Sequence, residues 1–196
     1  MATREAFLAA LRKSTPRAVP RPDLSALGVK FPDRVKVFGD VLASVGGACV
    51  RAADRAAAHR ALQDLPVYRD AKRIVSLVPG VGEGNVALEV LADPHLLEGV
   101  DVSVLPGALA VAENGAVWVD GSAFHHRVVF VVPQHLVLVV DAATLVDDMH
   151  QAYAQLAGRP VGYGLFISGP SKTADIEQAL VIGAQGARSC TVYLVG

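Results

Sequence analysis

Helical and strand-like patterns of apolar residues alternate along most of the chain. Apolar residues at helical spacing predict helices over 3–13, 34–45, 53–64, 85–92, 143–157 and 173–182. Compact or β-branched apolar runs predict strands at 49–51, 72–78, 101–105, 109–112, 116–119, 128–132, 136–140, 162–168 and 189–195. This alternation predicts an α/β fold with a largely parallel sheet flanked by helices.

Two parts of the pattern add detail to this prediction. The runs 128–132 and 136–140 have no polar face, which is typical of strands covered on both sides. The three short strands between residues 101 and 119 follow each other closely, which indicates an antiparallel or extra-sheet portion.

The first 33 residues differ from the rest and are interpreted as a basic helix followed by a proline-rich arm, with one domain over 34–196. Pro16, Pro20, Pro22 and Pro32 prevent a continuous helix. Residues 1–36 carry a net charge of +5 and residues 37–196 a net charge of −6. Two interpretations stay open: a solvated arm lying on its own acidic body, or a docking element for a partner subunit.

Composition narrows the class of protein. A chain of 196 residues suits one domain, and a net charge of −1 argues against nucleic-acid binding. Mean hydropathy is +0.39, yet the most apolar stretch has only 13 residues, too few for a membrane span. No secretory signal is visible, so a cytoplasmic location is expected. Two cysteines are too few for an iron–sulfur or zinc site.

A predicted strand, a turn of small residues and a predicted helix meet at 167–177. Free backbone N–H groups and the positive end of a helix dipole favour an anion there, and Lys172 adds a charge. The carboxyl ends of strands are also where open α/β sheets hold ligands. Alternatively, Ser171 caps the helix, Lys172 is solvated, and Asp175 and Glu177 offset the dipole.

Glu113 ends an apolar strand and precedes Asn114-Gly115, a strong tight-turn dipeptide. The carboxylate is either a nucleophile or base held at a strand end, or an exposed group of a hairpin turn.

Other chemistry-bearing residues give weaker patterns. The loop Gly80–Gly84 departs from the dinucleotide fingerprint by one residue, so a Rossmann NAD site is not supported. No histidine pair has metal-ligand spacing, and we expect no metal site. Arg127 and Arg188 are either carboxylate clamps or surface ion-pair formers.

The run ISGPSKTADIEQALVIGAQGAR at 167–188 resembles the signature of the lactate utilization protein C family, the LUD-domain proteins. AVAENGAVWVDGS at 110–122 and PQHLVLVV at 133–140 agree with it in order and spacing. Many relatives have Thr-Gly where this chain has Asn114-Gly115.

The resemblance implies a Rossmann-like three-layer α/β/α sandwich, similar to the sugar-phosphate isomerase and CoA-transferase group. It implies a non-redox subunit, without a cofactor of its own, in a cytoplasmic system that oxidises L-lactate to pyruvate beside iron–sulfur proteins. A small carboxylate is the expected ligand. The positions carried over are Glu113, His135, Ser168, Gly169, Ser171, Lys172, Thr173, Asp175 and Glu177.

The same turn supports a second hypothesis. Ala112–Gly115 is similar to the turn that presents the nucleophilic glutamate in CoA transferases, where Glu113 would attack a thioester. The second glycine loop of those enzymes is not recognisable in this chain.

Overall fold

The computed structural model describes residues 3–14, 19–20, 22–23, 28–159, 162–174 and 180–196. Within them, the α-helices are α1 Arg4–Ser14, α2 Arg34–Ser44, α3 Arg55–Gln63, α4 Pro66–Arg69 and α5 Met149–Leu156. The strands are β1 Ala48–Ala52, β2 Ile74–Ser76, β3 Val102–Gly107, β4 Leu109–Val111, β5 Ala116–Asp120, β6 His135–Asp141, β7 Leu145–Val146, β8 Gly164–Ile167, β9 Lys172–Thr173, β10 Val181–Ile182 and β11 Ser189–Val195. No helix among these residues is long and apolar enough to cross a bilayer.

Five parallel strands form the central sheet in the order β1-β11-β6-β3-β2. Residues 136–140 of β6 are all buried, because both faces of the sheet are covered. The predicted parallel α/β architecture is confirmed.

The two faces of this sheet pack against different layers. Val104, Val137 and Tyr193 face α3 and α4, where Leu62 and Tyr68 close the core. The opposite face packs against α2 and a second sheet, through residues that include Phe38, Leu42, Val117, Leu138 and Leu194.

The second sheet has the order β7-β4-β5-β8 and includes antiparallel pairs. The expected extra-sheet portion is confirmed for β4 and β5, whereas the first of the three short strands, β3, lies in the parallel sheet. Trp118 of β5 and Phe166 of β8 pack with their rings tilted and their centroids 4.7 Å apart. The strand leading into the 168–172 turn therefore belongs to this second sheet and not to the parallel one.

Two predicted elements between residues 85 and 132 are wrong. In place of the helix over 85–92, only a 3-10 turn forms at Leu88–Val90, because the Asn85 side chain bonds Ile74 N and Lys72 O beside β2. In place of the strand at 128–132, a 3-10 turn at Arg127–Phe130 buries Val129 and Phe130 without joining a sheet.

The helix predicted over 143–157 begins later, at Met149. Leu145–Val146 instead pair with β4, and Asp148 caps the helix by accepting from Gln151 N at 2.8 Å. A capping aspartate ahead of the apolar run was the signal for this start.

The helix predicted over 173–182 is also wrong at both ends. β9 and β10 pair antiparallel, with Thr173 opposite Val181, and Gly183 N donates to Ser171 O. β-branched residues on both sides favour this pairing over a helix. Asp175 and Glu177 lie outside the described residues.

The amino-terminal arm is partly described. Helix α1 forms as predicted, and Thr3 Oγ1 caps it by accepting from Ala6 N at 3.3 Å. No α1 residue is buried. Further along, Val29 N and Phe31 N donate to the carboxylates of Asp148 and Asp147, so this end of the arm contacts the body of the same chain.

Candidate functional site at the amino edge of the central sheet

The turn that contains Ser168–Lys172 lies at the amino edge of the central sheet, which is the side where its parallel strands begin. Ser171 N donates to Ala187 O, just before β11, and the Lys172 ammonium donates to Val45 O, just before β1. The sequence predicts this turn at the carboxyl ends of the parallel strands. That position is wrong, because β8, the strand before the turn, belongs to the second sheet.

The Lys172 ammonium lies at the carboxyl end of helix α2 and not at the amino end of a helix. Its partner, Val45, is the C-cap residue of α2, where the ammonium offsets the negative end of the helix dipole. Thr173 lies in β9 and does not begin the helix that the dipole argument for an anion places there.

Ser168 and Gly169 also contact their own chain. The Ser168 hydroxyl donates to Asn114 O at 2.7 Å, which brings the two turns predicted as functional into direct contact. Gly169 has a φ of +73°, and an added Cβ would lie 2.8 Å from Val45 O. Contacts within the chain therefore explain why residue 168 has a hydroxyl group and why residue 169 is a glycine.

Glu113 is exposed and bound to α5. Its Oε1 accepts from Met149 N at 2.7 Å, which satisfies one of the N–H groups left free in the first turn of that helix. Its own N–H donates to Asp147 O at 3.0 Å. This position gives Glu113 a structural task, and the transferase hypothesis rests on the resemblance of the turn alone.

We expect Glu113→Ala to lower the free energy of unfolding by about 1 kcal/mol, because a helix N–H loses its acceptor. Glu113→Gln keeps an acceptor oxygen and is the matched control, with a smaller loss. Urea denaturation measures both. Equal losses in the two variants would contradict a role for this hydrogen bond.

His135 faces a cavity of about 320 Å³ at the same edge of the sheet. The cavity also presents polar side chains from Asp70, Asp101, Gln134 and Arg188. The His135 Nδ1 and the Ser189 hydroxyl share a hydrogen bond of 2.8 Å, which leaves Nε2 as the ring nitrogen open to a ligand.

The surroundings of His135 favour its uncharged imidazole. Burial lowers its pKa below 6.5, the Arg188 guanidinium lowers it further, and Asp101 acts in the opposite direction. The Asp101 carboxyl itself has a lowered pKa, because the backbone N–H groups of Arg73 and Lys72 donate to it.

Arg188 supplies the cation of this cavity. It forms no ion pair within the described residues, and its backbone N–H donates to Gln134 O at 2.8 Å. A guanidinium in this state can bind a carboxylate through two parallel N–H donors. Arg127, the other candidate clamp, lies instead over the Tyr163 ring at 4.9 Å.

Asp101 and Gln134 were not singled out in the sequence. Each stands one residue before a strand of the parallel sheet, β3 and β6 respectively. Polar residues just ahead of neighbouring strands are the signal that identifies this edge.

Other candidate chemistry has structural explanations. In the glycine-rich loop, Gly82 N donates to His59 Nδ1 and Glu83 N to the Tyr68 hydroxyl, so these amides are occupied. Burial raises the pKa of the Cys190 thiol to about 12, which leaves it unreactive. Among the described residues, no group of three or more potential ligands gathers for a metal.

The LUD domain family model matches residues 95–195, just over half of the chain. The chain belongs to the LUD domain family. Its matched region contains Asp101, His135 and Arg188 of the amino-edge cavity.

Two curated relatives of this LUD domain have the same name. Lactate utilization protein C of Shouchella clausii is 35% identical over 44% of this chain and 40% of its own length. The protein of the same name from Geobacillus kaustophilus is 30% identical over 60% of this chain and 48% of its own. The chain thus spans less than half the length of these relatives.

A solved structure has the same fold as this LUD domain. The crystal structure of a DUF162 family protein from Deinococcus radiodurans superposes with a TM-score of 0.58 at 18% identity. The superposition covers 84% of this chain and 99% of the other. The likeness extends beyond the matched 95–195 region to most of the chain.

Proposed function

We propose that this LUD domain is a non-redox component of a cytoplasmic lactate oxidation system and binds a small carboxylate in the amino-edge cavity. The proposal depends on one observation: the Arg188 guanidinium and the His135 ring line the same cavity. The name of the curated relatives, lactate utilization protein C, supports lactate or pyruvate as the acid.

The chemistry of the cavity suits a 2-hydroxy or 2-oxo acid. The carboxylate pairs with Arg188, and the oxygen on the neighbouring carbon bonds to His135 Nε2, which is free because Ser189 occupies Nδ1. Ser189 also orients the ring. A volume of about 320 Å³ accommodates a three-carbon acid with water.

The non-redox part of the proposal comes from the cysteine count. Iron–sulfur clusters take about four cysteine ligands and this chain has two, so the electron carriers belong to other subunits. The family resemblance supports iron–sulfur proteins as those partners.

We expect Arg188→Gln to weaken the binding of L-lactate and pyruvate at least about tenfold, because the carboxylate loses a charged hydrogen-bond partner. Calorimetric titration measures the affinities, and circular dichroism checks that the variant is folded. Arg51→Gln is the matched control. Arg51 is exposed on β1 and pairs with Leu194 near the carboxyl ends of the two strands, away from the amino-edge cavity. Equal binding by wild type and Arg188→Gln, or no binding by the wild type, would refute the carboxylate site.

A further inference from the structure

The carboxyl edge of the central sheet holds a separate cavity of about 490 Å³. All five parallel strands contribute residues at or just after their ends, including Asp54, Val78, Pro106, Asp141 and Val195. In open α/β sheets, the crevice outside the carboxyl ends of the strands is the usual position of a ligand. Nothing in the proposed carboxylate site uses this cavity.

The two cavities are at opposite ends of the same strands. β6 begins at His135, in the amino-edge cavity, and ends at Asp141, in the carboxyl-edge cavity. Six residue steps at about 3.3 Å place them about 20 Å apart. A ligand of one cavity therefore does not reach the other.

The polar groups of the carboxyl-edge cavity are mainly hydrogen-bond acceptors. Asp141 Oδ1 accepts from Ala143 N at 2.9 Å, and Asp54 Oδ1 accepts from Ala57 N at 2.6 Å. Each carboxylate keeps a second oxygen for a ligand, and ionised carboxylates accept without donating. These acceptor oxygens favour a ligand that offers hydroxyl groups.

Valine and proline side chains form most of the remaining walls. Val78, Val139 and Val195 line the cavity together with Pro79 and Pro106. A free sugar would leave this apolar surface in contact with water, whereas a flat heterocyclic base would cover it. At the rim, the Arg55 guanidinium bonds to Pro79 O at 3.4 Å, and a guanidinium plane stacks well on an aromatic ring.

We propose that the carboxyl-edge cavity binds a nucleoside, with the ribose hydroxyls donating to Asp141 and the base lying against the valine and proline walls. The volume of about 490 Å³ is within the range of small-molecule sites and leaves room for a base and a ribose together.

The test uses adenosine and 2′,3′-dideoxyadenosine, which differ only in the two ribose hydroxyls. Titration followed by calorimetry or by NMR shift changes is expected to show adenosine binding at least about tenfold more tightly, because the diol bonds to a charged acceptor. Asp141→Asn is expected to remove this preference.

Asp120→Asn is the matched control. Like Asp141, Asp120 caps a 3-10 helix by accepting from the N–H two residues ahead, at 2.9 Å, but it does not line the cavity. It should bind adenosine like the wild type. Absence of adenosine binding, equal affinity for both nucleosides, or an unchanged preference in Asp141→Asn would overturn the proposal. L-Lactate affinity, measured in the same variants, is expected to stay unchanged and reports on the other cavity separately.

Discussion

Gly115→Ala is expected to lower the free energy of unfolding by about 3 kcal/mol. Gly115 has a φ of +63°, and a residue with a Cβ in this left-handed region costs about 1–2 kcal/mol. The added Cβ would also lie 2.9 Å from Leu42 N and 3.0 Å from Leu42 Cα. These are backbone atoms of α2, so relief requires moving the helix, at a further cost of about 1–3 kcal/mol.

Gly80→Ala separates the two contributions. Gly80 has a similar φ of +78°, but an added Cβ meets none of the described residues within 4 Å. Urea denaturation of both variants gives the conformational cost from Gly80→Ala and the cost of the contact with α2 from the difference. Equal losses would show that the turn does not approach α2 as closely as the structure has it.

The strands and helices predicted best are those with strong local signals. Leu136–Val140 and Ser189–Val195 are continuous apolar or β-branched runs, and both are central strands. Asp33 and Asp54 precede α2 and α3 and cap them by accepting from Lys36 N and Ala57 N. Local sequence is sufficient where the burial pattern and the cap agree.

The failures come from pairing between distant or competing segments. Lys172–Thr173 bond to Val181–Ile182, and Leu145–Val146 bond to β4, which lies more than 30 residues earlier. Helical spacing in a short apolar segment does not show whether a strand partner is available elsewhere.

The same limit applies to the candidate site. Asp101, His135 and Arg188 come together because β3, β6 and β11 are neighbours, with Val102 opposite His135 and His135 opposite Ser189. The sequence identified His135 and Arg188 separately, but the order of strands that joins them is a property of the whole sheet. By contrast, Ser168 and Lys172 received a functional interpretation from a local motif, and the structure gives them packing partners in Asn114 and Val45.

Asp148→Ala is expected to lower the free energy of unfolding by about 3 kcal/mol and to release the end of the arm from the body. Asp148 is only 2% exposed. Its Oδ1 accepts from Gln151 N at 2.8 Å as the cap of α5, and its Oδ2 accepts from Val29 N at 3.1 Å. The alanine variant loses the helix cap, worth about 0.5–2 kcal/mol, and a second hydrogen bond to a charged carboxylate, worth about 1.5–3 kcal/mol.

Asp54→Ala isolates the cost of the cap alone. Asp54 caps α3 with the same extended backbone and an acceptor contact to Ala57 N, but it holds no described residue of the arm, so about 1 kcal/mol is expected. Urea denaturation gives the two losses, and trypsin cleavage after the exposed Lys30 reports on the arm. Faster cleavage in Asp148→Ala, but not in Asp54→Ala, is expected if the arm is fastened to its own acidic body. Cleavage at the wild-type rate in both variants would instead show that the arm is not held by Asp148, and would favour the arm as a docking element for a partner subunit.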